Sequence, residues 1–176
     1  TLLTFTPAAN YNGPASFTYT ISDGNGGTAS ATVSGTVTAV NDPPVAVNDS
    51  FGTINEDTSA AVTVKTNDND VDGNPLTITQ VNGTAIVAGG ASVTVTNGTV
   101  ALSADGNTLT FTPNANYNGP ASYTYTISDG AGGTASATVS GTVTAVNDAP
   151  VNTLPASSTT NEDTSVPLSG LSIADV

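Results

Sequence analysis

Residues 108–151 read TLTFTPNANYNGPASYTYTISDGAGGTASATVSGTVTAVNDAPV, and this stretch decides the fold. Apolar and polar residues alternate through 122–128 and again through 134–146, which is the period of a strand with one buried face. The pair Asp129-Gly130 follows the first of these segments, and such a pair accepts the positive φ of a tight turn. The stretch therefore predicts a hairpin of two long β-strands.

Nearly the same stretch occurs a second time. Residues 2–45 match residues 108–151 at an offset of 106 and differ from them at five of 44 positions. The same offset carries residues 55–59 (NEDTS) onto residues 161–165. A period of this length indicates tandem domains. With the Asn-Asp motif taken as the joint, we expect the C-terminal part of one repeat in 1–42, a complete repeat in 43–148 and the N-terminal part of the next in 149–176.

The complete repeat contains short alternating segments that are separated by Gly, Asn and Asp. They are residues 61–66, 76–81, 92–96, 99–103, 108–112, 122–128 and 134–146. About seven short strands with regular turn signals, and no helical period, predict an all-β fold, an antiparallel β-sandwich of immunoglobulin-like type. We expect its core to include Val64, Ile78, Leu109, Phe111, Tyr125, Val139 and Val143.

Composition and charge exclude several functional classes. The chain has 176 residues, 14 acidic and one basic, so its formal net charge is −13. Such a chain is not suited to bind nucleic acid or an anionic membrane surface. No apolar run approaches the roughly 18 residues of a membrane span, so no direct membrane insertion is expected. The chain does not begin with Met, and we interpret it as a window of a longer protein.

The side chains that most enzymes use are missing. Cys, His, Met and Trp are all absent. A disulfide, a thiol nucleophile and a His-based catalyst are therefore impossible, and Lys65, the one basic residue, leaves Ser and Thr without a general base. We predict a protein without enzymatic activity. The cations it could hold are hard ones with oxygen ligands.

The acidic residues cluster in short motifs. Residues 68–73 read DNDVDG and match the opening of a calcium loop, in which alternate carboxylates converge on one ion and Gly permits the turn. Position 12 of such a loop is Thr79 instead of a Glu, so further ligands must come from elsewhere in the fold. A solvated turn is the alternative, but three close carboxylates need neutralising, which favours Ca²⁺.

The order of the motifs resembles a known family. Asn-Glu-Asp, then Asp-x-Asp-Gly-Asn, then Ser-Asp-Gly, then Val-Asn-Asp-Pro-Pro is similar to the cadherin-like or immunoglobulin-like tandem repeats of bacterial extracellular proteins. These include the extender repeats of giant RTX-type adhesins exported by type I systems. The resemblance implies sandwiches in tandem, with Ca²⁺ at the joints between them. It also implies a location outside the cell or on the bacterial surface, with neighbouring repeats of the same chain or fibre as partners.

The resemblance implies a ligand set for each joint. The first joint would use Asn41, Asp42, Glu56, Asp70, Asp72 and Asp129, and Asp68 of the same acidic loop is a further candidate. The second joint would use Asn147, Asp148, Glu162 and Asp175. Ala39 and Ala145 stand where the cadherin pattern has an acidic residue, so we expect one or two ions at each joint.

The expected function is that of a structural extender repeat. It would hold a distal binding region away from the cell, and Ca²⁺ would stiffen each joint. Three alternatives stay open: a module that binds glycans or another protein, a self-assembling filament or sheath subunit completed by strand addition, and a spacer attached to a large secreted enzyme.

Overall fold

The computed structural model of the chain describes residues 2–153, 159–167, 170 and 172–174. This part is built from β-strands. In chain order they are β1 (Gly13–Ser22), β2 (Thr28–Val37), β3 (Asp49–Asn55), β4 (Ala60–Val62), β5 (Thr77–Val81), β6 (Thr84–Ala85), β7 (Val93–Val95), β8 (Gly98–Leu102), β9 (Leu109–Pro113), β10 (Gly119–Ser128), β11 (Thr134–Thr144), β12 (Val151–Thr153) and β13 (Ser172–Ala174). A 3₁₀ turn covers Val64–Thr66.

Strands β3 to β11 form a sandwich of two sheets. One sheet has the order β3-β11-β10-β5-β6, and the other has the order β4-β9-β8-β7. A single buried cluster takes side chains from both sheets, because alternate residues of each strand point inward. The predicted all-β, immunoglobulin-like sandwich is confirmed, and each predicted core residue is at most 3 % exposed.

Strand β3 was not predicted, and it is not antiparallel to its neighbour. It pairs in parallel with β11, from Val139 beside Asp49 to Thr144 beside Asn55. The register shifts between Ser140 and Gly141, where Gly52 adopts a φ of 71°. This bulge interrupts the alternation of apolar and polar residues in residues 49–55, which is why the sequence did not indicate a strand there.

The strand predicted at residues 61–66 is shorter than expected. Strand β4 ends at Val62, and the chain turns through the 3₁₀ segment. Val64 is nevertheless fully buried, so the pattern identified the correct core residue in the wrong secondary structure.

The flanking segments form separate small sheets. Strands β1 and β2 pair over ten residues each, from Gly13 beside Val37 to Ser22 beside Thr28. Strands β12 and β13 pair over three residues each. Within the described ranges, no helix is both long and apolar enough to cross a membrane.

Candidate cation site at the first joint

The linker between β2 and β3 lies against the acidic loop that follows the 3₁₀ turn. Val45 N donates to Asn69 O at 2.7 Å, and Asn69 N donates back to Val45 O at 3.0 Å. Val47 N donates to Asp68 Oδ1 at 2.8 Å. The linker is therefore fixed to the complete repeat before β3 begins, by two main-chain hydrogen bonds and one from its backbone to the Asp68 carboxylate.

Asn41 and Asp42 connect this linker to two loops, the acidic loop of residues 68–73 and the loop of residues 129–133, which begins with Asp129. Asn41 Nδ2 donates to Asp129 Oδ2 at 2.7 Å, and Asn41 Oδ1 accepts from Asn74 Nδ2 at 2.9 Å. The backbone N–H of Asp42 donates to Asp72 Oδ2 at 2.7 Å. The structure thus brings together five residues that the sequence placed at this joint, Asn41, Asp42, Asp70, Asp72 and Asp129.

Asp70 has one carboxylate oxygen in use and one without a partner. Its Oδ1 accepts from the backbone N–H of Asp72 at 2.8 Å and of Asn74 at 3.4 Å, around a turn in which Gly73 has a φ of 76°. Its Oδ2 is buried and has no hydrogen-bond partner, and the side chain is 8 % exposed. A buried carboxylate oxygen without a donor is unfavourable, so this atom requires a cation or water.

Asp129 accepts hydrogen bonds from the backbone of the loop that follows it, residues 129–133. Its Oδ1 accepts from the backbone N–H of Ala131 at 2.8 Å and of Gly133 at 2.9 Å. The hydrogen bond from Asn41 and these backbone donors lower the pKa of the Asp129 carboxyl. A side chain at Gly133 would collide with the Asp129 carboxylate and lie 2.8 Å from the Cα of Pro43, so glycine lets the linker approach this loop.

The chemistry of this donor set fits a hard cation. The carboxylates of Asp42, Asp70, Asp72 and Asp129 and the amide oxygen of Asn41 are the oxygen donors that Ca²⁺ prefers. In the described ranges, no three acidic side chains converge closely enough to count as a ready metal centre. Hydrogen bonds from backbone and amide N–H groups hold the carboxylates in place.

Asp68, also predicted as a ligand, has a different role. The hydroxyl of Tyr125 lies 3.0 Å from Asp68 Oδ1 and 3.0 Å from Asp49 Oδ2. A phenol donates one hydrogen bond, so the two carboxylates share a single donor. Burial, together with the nearby charge of Asp68, raises the pKa of Asp49 although Tyr125 and Asn67 donate to it. Asp68 thus supports the core Tyr125 and lies outside the Asn41 network.

Glu56 lies at the opposite end of the repeat, so the prediction that it serves the first joint is wrong. Glu56 is 4 % exposed, and its Oε1 accepts from Val146 N at 2.6 Å. The reason is the direction of β3. Because β3 runs parallel to β11, its end at Asn55 meets the end of β11 at Thr144, which precedes the second linker.

The remaining predicted ligands belong to the second joint. Asn147 Nδ2 donates to the backbone oxygen of Asp148 at 3.0 Å, and Asp148 Oδ2 is buried without a hydrogen-bond partner. Glu162 is exposed, and Asp175 lies outside the described residues. The structure therefore does not assemble this second set as it does the first.

Two contributors were missed by reasoning from the sequence. Asn74 completes the network at Asn41, and its signal was available because it ends the Asp-x-Asp-Gly-Asn motif. Asp49 contacts the same hydroxyl as Asp68, but it belongs to the unpredicted strand β3, so no local pattern connected it to Tyr125.

Comparisons with known proteins place the chain in a family. Residues 1–38 match the cadherin-like domain, and no curated protein matches the chain. A solved structure, "Endo-fucoidan hydrolase MfFcnA4 from glycoside hydrolase family 107", is 24 % identical with a TM-score of 0.39, and the match covers 80 % of this chain and 20 % of that one. The chain thus spans about a fifth of that protein's length. Residues 41–142, more than half of the chain, match the bacterial Ig domain, and the chain belongs to that family.

Proposed function

We propose that this chain is part of the non-catalytic shaft of a bacterial extracellular fibre or adhesin, and that Ca²⁺ stiffens the joints between its repeats. Bacterial Ig and cadherin-like domains are usually extracellular or surface-exposed, and they are typically non-enzymatic. Neighbouring repeats of the same chain or fibre are the proposed partners. The role of the shaft is to hold a distal binding region away from the cell.

One observation carries the proposal. Asn41 hydrogen-bonds to Asp129 and Asp42 hydrogen-bonds to Asp72, and Oδ2 of Asp70, in the same loop as Asp72, is buried without a partner. A cation at this point would satisfy that oxygen and reduce the repulsion among Asp70, Asp72 and Asp42. The same residues would then connect the linker to the complete repeat more strongly than hydrogen bonds alone.

The linker is already restricted before any ion binds. Pro43 and Pro44 fix two φ angles, and Pro44 is buried. Less conformational entropy is therefore lost when the joint closes. Ca²⁺ would supply charge neutralisation and a multidentate bridge, and Asn41, Asp42, Asp70, Asp72 and Asp129 would hold it.

We extend the proposal to the second joint with Glu56 in a new position. Glu56 accepts a hydrogen bond from Val146 of the linker that follows β11, and Asp148, whose Oδ2 is buried without a partner, belongs to the same linker. Asn147, Glu162 and Asp175 are the proposed further ligands there.

Calorimetric titration of the metal-stripped protein with CaCl₂ tests the first joint. Extracellular modules bind Ca²⁺ with a Kd of about 10⁻⁴–10⁻³ M, and saturation at 100 times Kd would add about 2.7 kcal/mol per site to the free energy of unfolding. We expect Asp72→Ala to remove most of the binding at the first joint. Asp105→Asn, which changes an exposed acid in the β8–β9 turn, should leave it intact.

Two results would overturn the proposal. One is the absence of a binding signal at about 10 mM CaCl₂, roughly ten times the weakest expected Kd. The other is an equal loss in Asp72→Ala and Asp105→Asn, because that would indicate general charge screening and not a defined site.

A further inference from the structure

The Asp129 carboxylate at the first joint is saturated with hydrogen bonds. Its Oδ1 accepts from Ala131 N at 2.8 Å and from Gly133 N at 2.9 Å. Its Oδ2 accepts from Asn41 Nδ2 at 2.7 Å and from Gly133 N at 3.1 Å. A carboxylate offers about four lone-pair sites, and these contacts fill them. The side chain is 4 % exposed, so Asp129 can ligate a cation only when one of its donors leaves.

Asn41 is the donor that can leave. The two backbone donors belong to the loop of residues 129–133, and breaking their bonds would unfold its turn. The same pair of bonds recurs in the first repeat, where Asp23 Oδ1 accepts from Asn25 N at 2.8 Å and from Gly27 N at 2.9 Å. Asn41 comes from the linker instead, and a rotation of its side chain alone withdraws its NH₂ group from Asp129.

The carboxylates of the other loop differ from Asp129. Asp72 Oδ2 accepts from the backbone N–H of Asp42 at 2.7 Å, which uses one of the two lone pairs of that oxygen. Asp70 Oδ2 is buried with no hydrogen-bond partner. These two side chains can therefore bind a cation with their hydrogen bonds intact, whereas Asp129 needs the position that Asn41 occupies.

The orientation of the Asn41 amide follows from its two partners. An ionised carboxylate only accepts, so Asn41 turns its NH₂ group to Asp129, and this bond lowers the pKa of the Asp129 carboxyl. The Asn41 oxygen accepts from Asn74 Nδ2 at 2.9 Å. Ca²⁺ takes oxygen ligands, and in this orientation a nitrogen stands against Asp129. Asn41 and Asp129 therefore cannot bind one cation together unless the amide turns over.

We propose that Asn41 and the cation of the joint compete for Asp129, an inference that rests on the proposed function. Without the ion, the Asn41 amide holds the linker to Asp129 by a hydrogen bond. With the ion, the amide turns over and its oxygen becomes a ligand beside Asp129. Its NH₂ group then faces Asn74, whose amide must turn over as well to accept from it. The two arrangements exclude each other, because Asn41 presents either its nitrogen or its oxygen to Asp129.

The competition has two measurable consequences. The hydrogen bond from Asn41 restrains the joint in the absence of the ion. It also weakens the binding of Ca²⁺, because a bond to a charged group is broken before Asp129 can act as a ligand. A bond of this kind corresponds to a factor of about ten or more in the apparent Kd.

Two substitutions of nearly unchanged shape separate the donor from the ligand. Asn41→Asp replaces the NH₂ group by an oxygen, so the hydrogen bond is lost and the joint gains a carboxylate. Asp129→Asn keeps a bond to Asn41 with donor and acceptor exchanged, and it removes a charged ligand. In calorimetric titration with CaCl₂, we expect the Kd to fall about tenfold or more in Asn41→Asp and to rise about tenfold or more in Asp129→Asn.

Asn114→Asp is the control for added charge. It introduces the same single charge as Asn41→Asp, at an exposed position in the loop between β9 and β10. The first repeat has Ala8 there, so the repeat does not need the amide. We expect the Kd of this variant to stay near the wild-type value.

Spin labels measure the restraint of the joint without the ion. The chain has no Cys, and Ser34 and Ser140 are exposed at corresponding positions of β2, in the first hairpin that β1 and β2 form, and of β11. Ser34→Cys with Ser140→Cys therefore places one label on each side of the joint. In metal-free protein, we expect a broader distribution of label distances with Asn41→Asp than with Asp129→Asn or with neither change. CaCl₂ should narrow the distribution most in the Asn41→Asp background.

Side-chain amide signals in NMR spectra report the rotation itself. The NH₂ signals of Asn41 are assigned by their loss in Asn41→Asp, and those of Asn74 by their loss in Asn74→Asp. We expect both sets to shift together during titration with CaCl₂. NaCl at the same ionic strength should leave them in place.

The outcomes separate this inference from the proposed function. If the wild type binds no Ca²⁺ at about 10 mM CaCl₂, the proposed function fails and the competition with it. If the wild type binds Ca²⁺ but Asn41→Asp binds it no more tightly, or the amide signals stay in place, the competition alone is wrong. A metal-free joint that is as restrained in Asn41→Asp as in the wild type would also overturn it.

Discussion

The buried hydroxyl of Tyr123 is a polar group that the fold does not use. The side chain is 2 % exposed, and its oxygen has no hydrogen-bond partner. The first repeat has Phe17 at the same position, which indicates that the packing does not need the hydroxyl. Removing an unsatisfied buried polar atom is neutral or favourable.

Tyr123→Phe should therefore leave the free energy of unfolding unchanged or raise it by up to about 1 kcal/mol. Tyr125→Phe is the matched comparison, because the Tyr125 hydroxyl lies within 3.1 Å of Val47 O, Asp49 and Asp68. That change should destabilise the protein by about 1–3 kcal/mol. Urea unfolding at pH 7 measures both, and a larger loss in Tyr123→Phe than in Tyr125→Phe would contradict the prediction.

The pKa of Asp49 is raised and that of Asp105 is lowered, so the two carboxyls should have opposite effects on how stability depends on pH. Burial, with a contribution from the charge of Asp68, raises the pKa of Asp49 above its value of 3.8 in the unfolded chain. The folded state then binds a proton more tightly, so the stabilisation is present below that value and is lost as pH rises through the folded pKa. A hydrogen bond from Ser103, followed by one from Asn107, lowers the pKa of Asp105, which stabilises the fold above 3.8.

We therefore expect Asp49→Asn to raise the melting temperature at pH 7 and to have little effect at pH 3. The Asn67 amide can still donate to the new side chain, as it does to Asp49 at 3.1 Å. Asp105→Asn should lower the melting temperature at pH 7. Thermal unfolding across this pH range measures both, and a destabilised Asp49→Asn variant at pH 7 would be the contrary result.

Among the elements, the parallel contact of β3 with β11 depends on Gly141. A Cβ at this position would overlap the ring of Phe51, which stacks on Phe111 at 5.3 Å, and would lie 2.5 Å from the backbone oxygen of Gly52 in β3. Gly35 occupies the same position of the first repeat, and a Cβ there would meet nothing within 4 Å. The two glycines thus have the same neighbours in sequence, but only Gly141 is packed against a third strand, β3.

Gly141→Ala should lower the free energy of unfolding by about 1–3 kcal/mol, because both the ring of Phe51 and the backbone of β3 at Gly52 have to move. Gly35→Ala should be near neutral. Chemical denaturation of both variants compares them directly. Equal losses would mean that glycine provides backbone conformation in the strand and not room for Phe51 and Gly52 of β3.

The strands that pack with regular alternation could be read from the sequence, and β3 could not. Residues 122–128 and 134–146 alternate without interruption, and they form most of the long strands β10 and β11 of the five-stranded sheet. Strand β3 contains the bulge at Gly52, and its parallel pairing depends on a partner about 90 residues away. The misplacement of Glu56 has the same cause, since its position follows from the direction of β3. The boundaries of the repeats at residues 42 and 148 stay a prediction.

At the scale of the whole molecule, charge and linker act together. The chain carries a net charge of −13 with Lys65 as its one cation, and repulsion of this size favours an extended arrangement of the repeats. Added salt of any kind screens that repulsion. A defined joint differs from screening in two respects: it depends on particular residues, and it narrows the range of angles between the first hairpin and the sandwich.

Small-angle X-ray scattering can separate these two effects. We expect CaCl₂ to narrow the distribution of the radius of gyration, because the carboxylates of Asp70, Asp72 and Asp129 would be held against the linker. NaCl at the same ionic strength should shift the mean without the same narrowing, and Asp72→Ala should respond to CaCl₂ as the wild type responds to NaCl. Identical narrowing in both salts would mean that Asn41 and Asp42 fix the joint through hydrogen bonds alone. The acidic loops would then stiffen the chain without an ion, and the unpartnered oxygen of Asp70 would be satisfied by water.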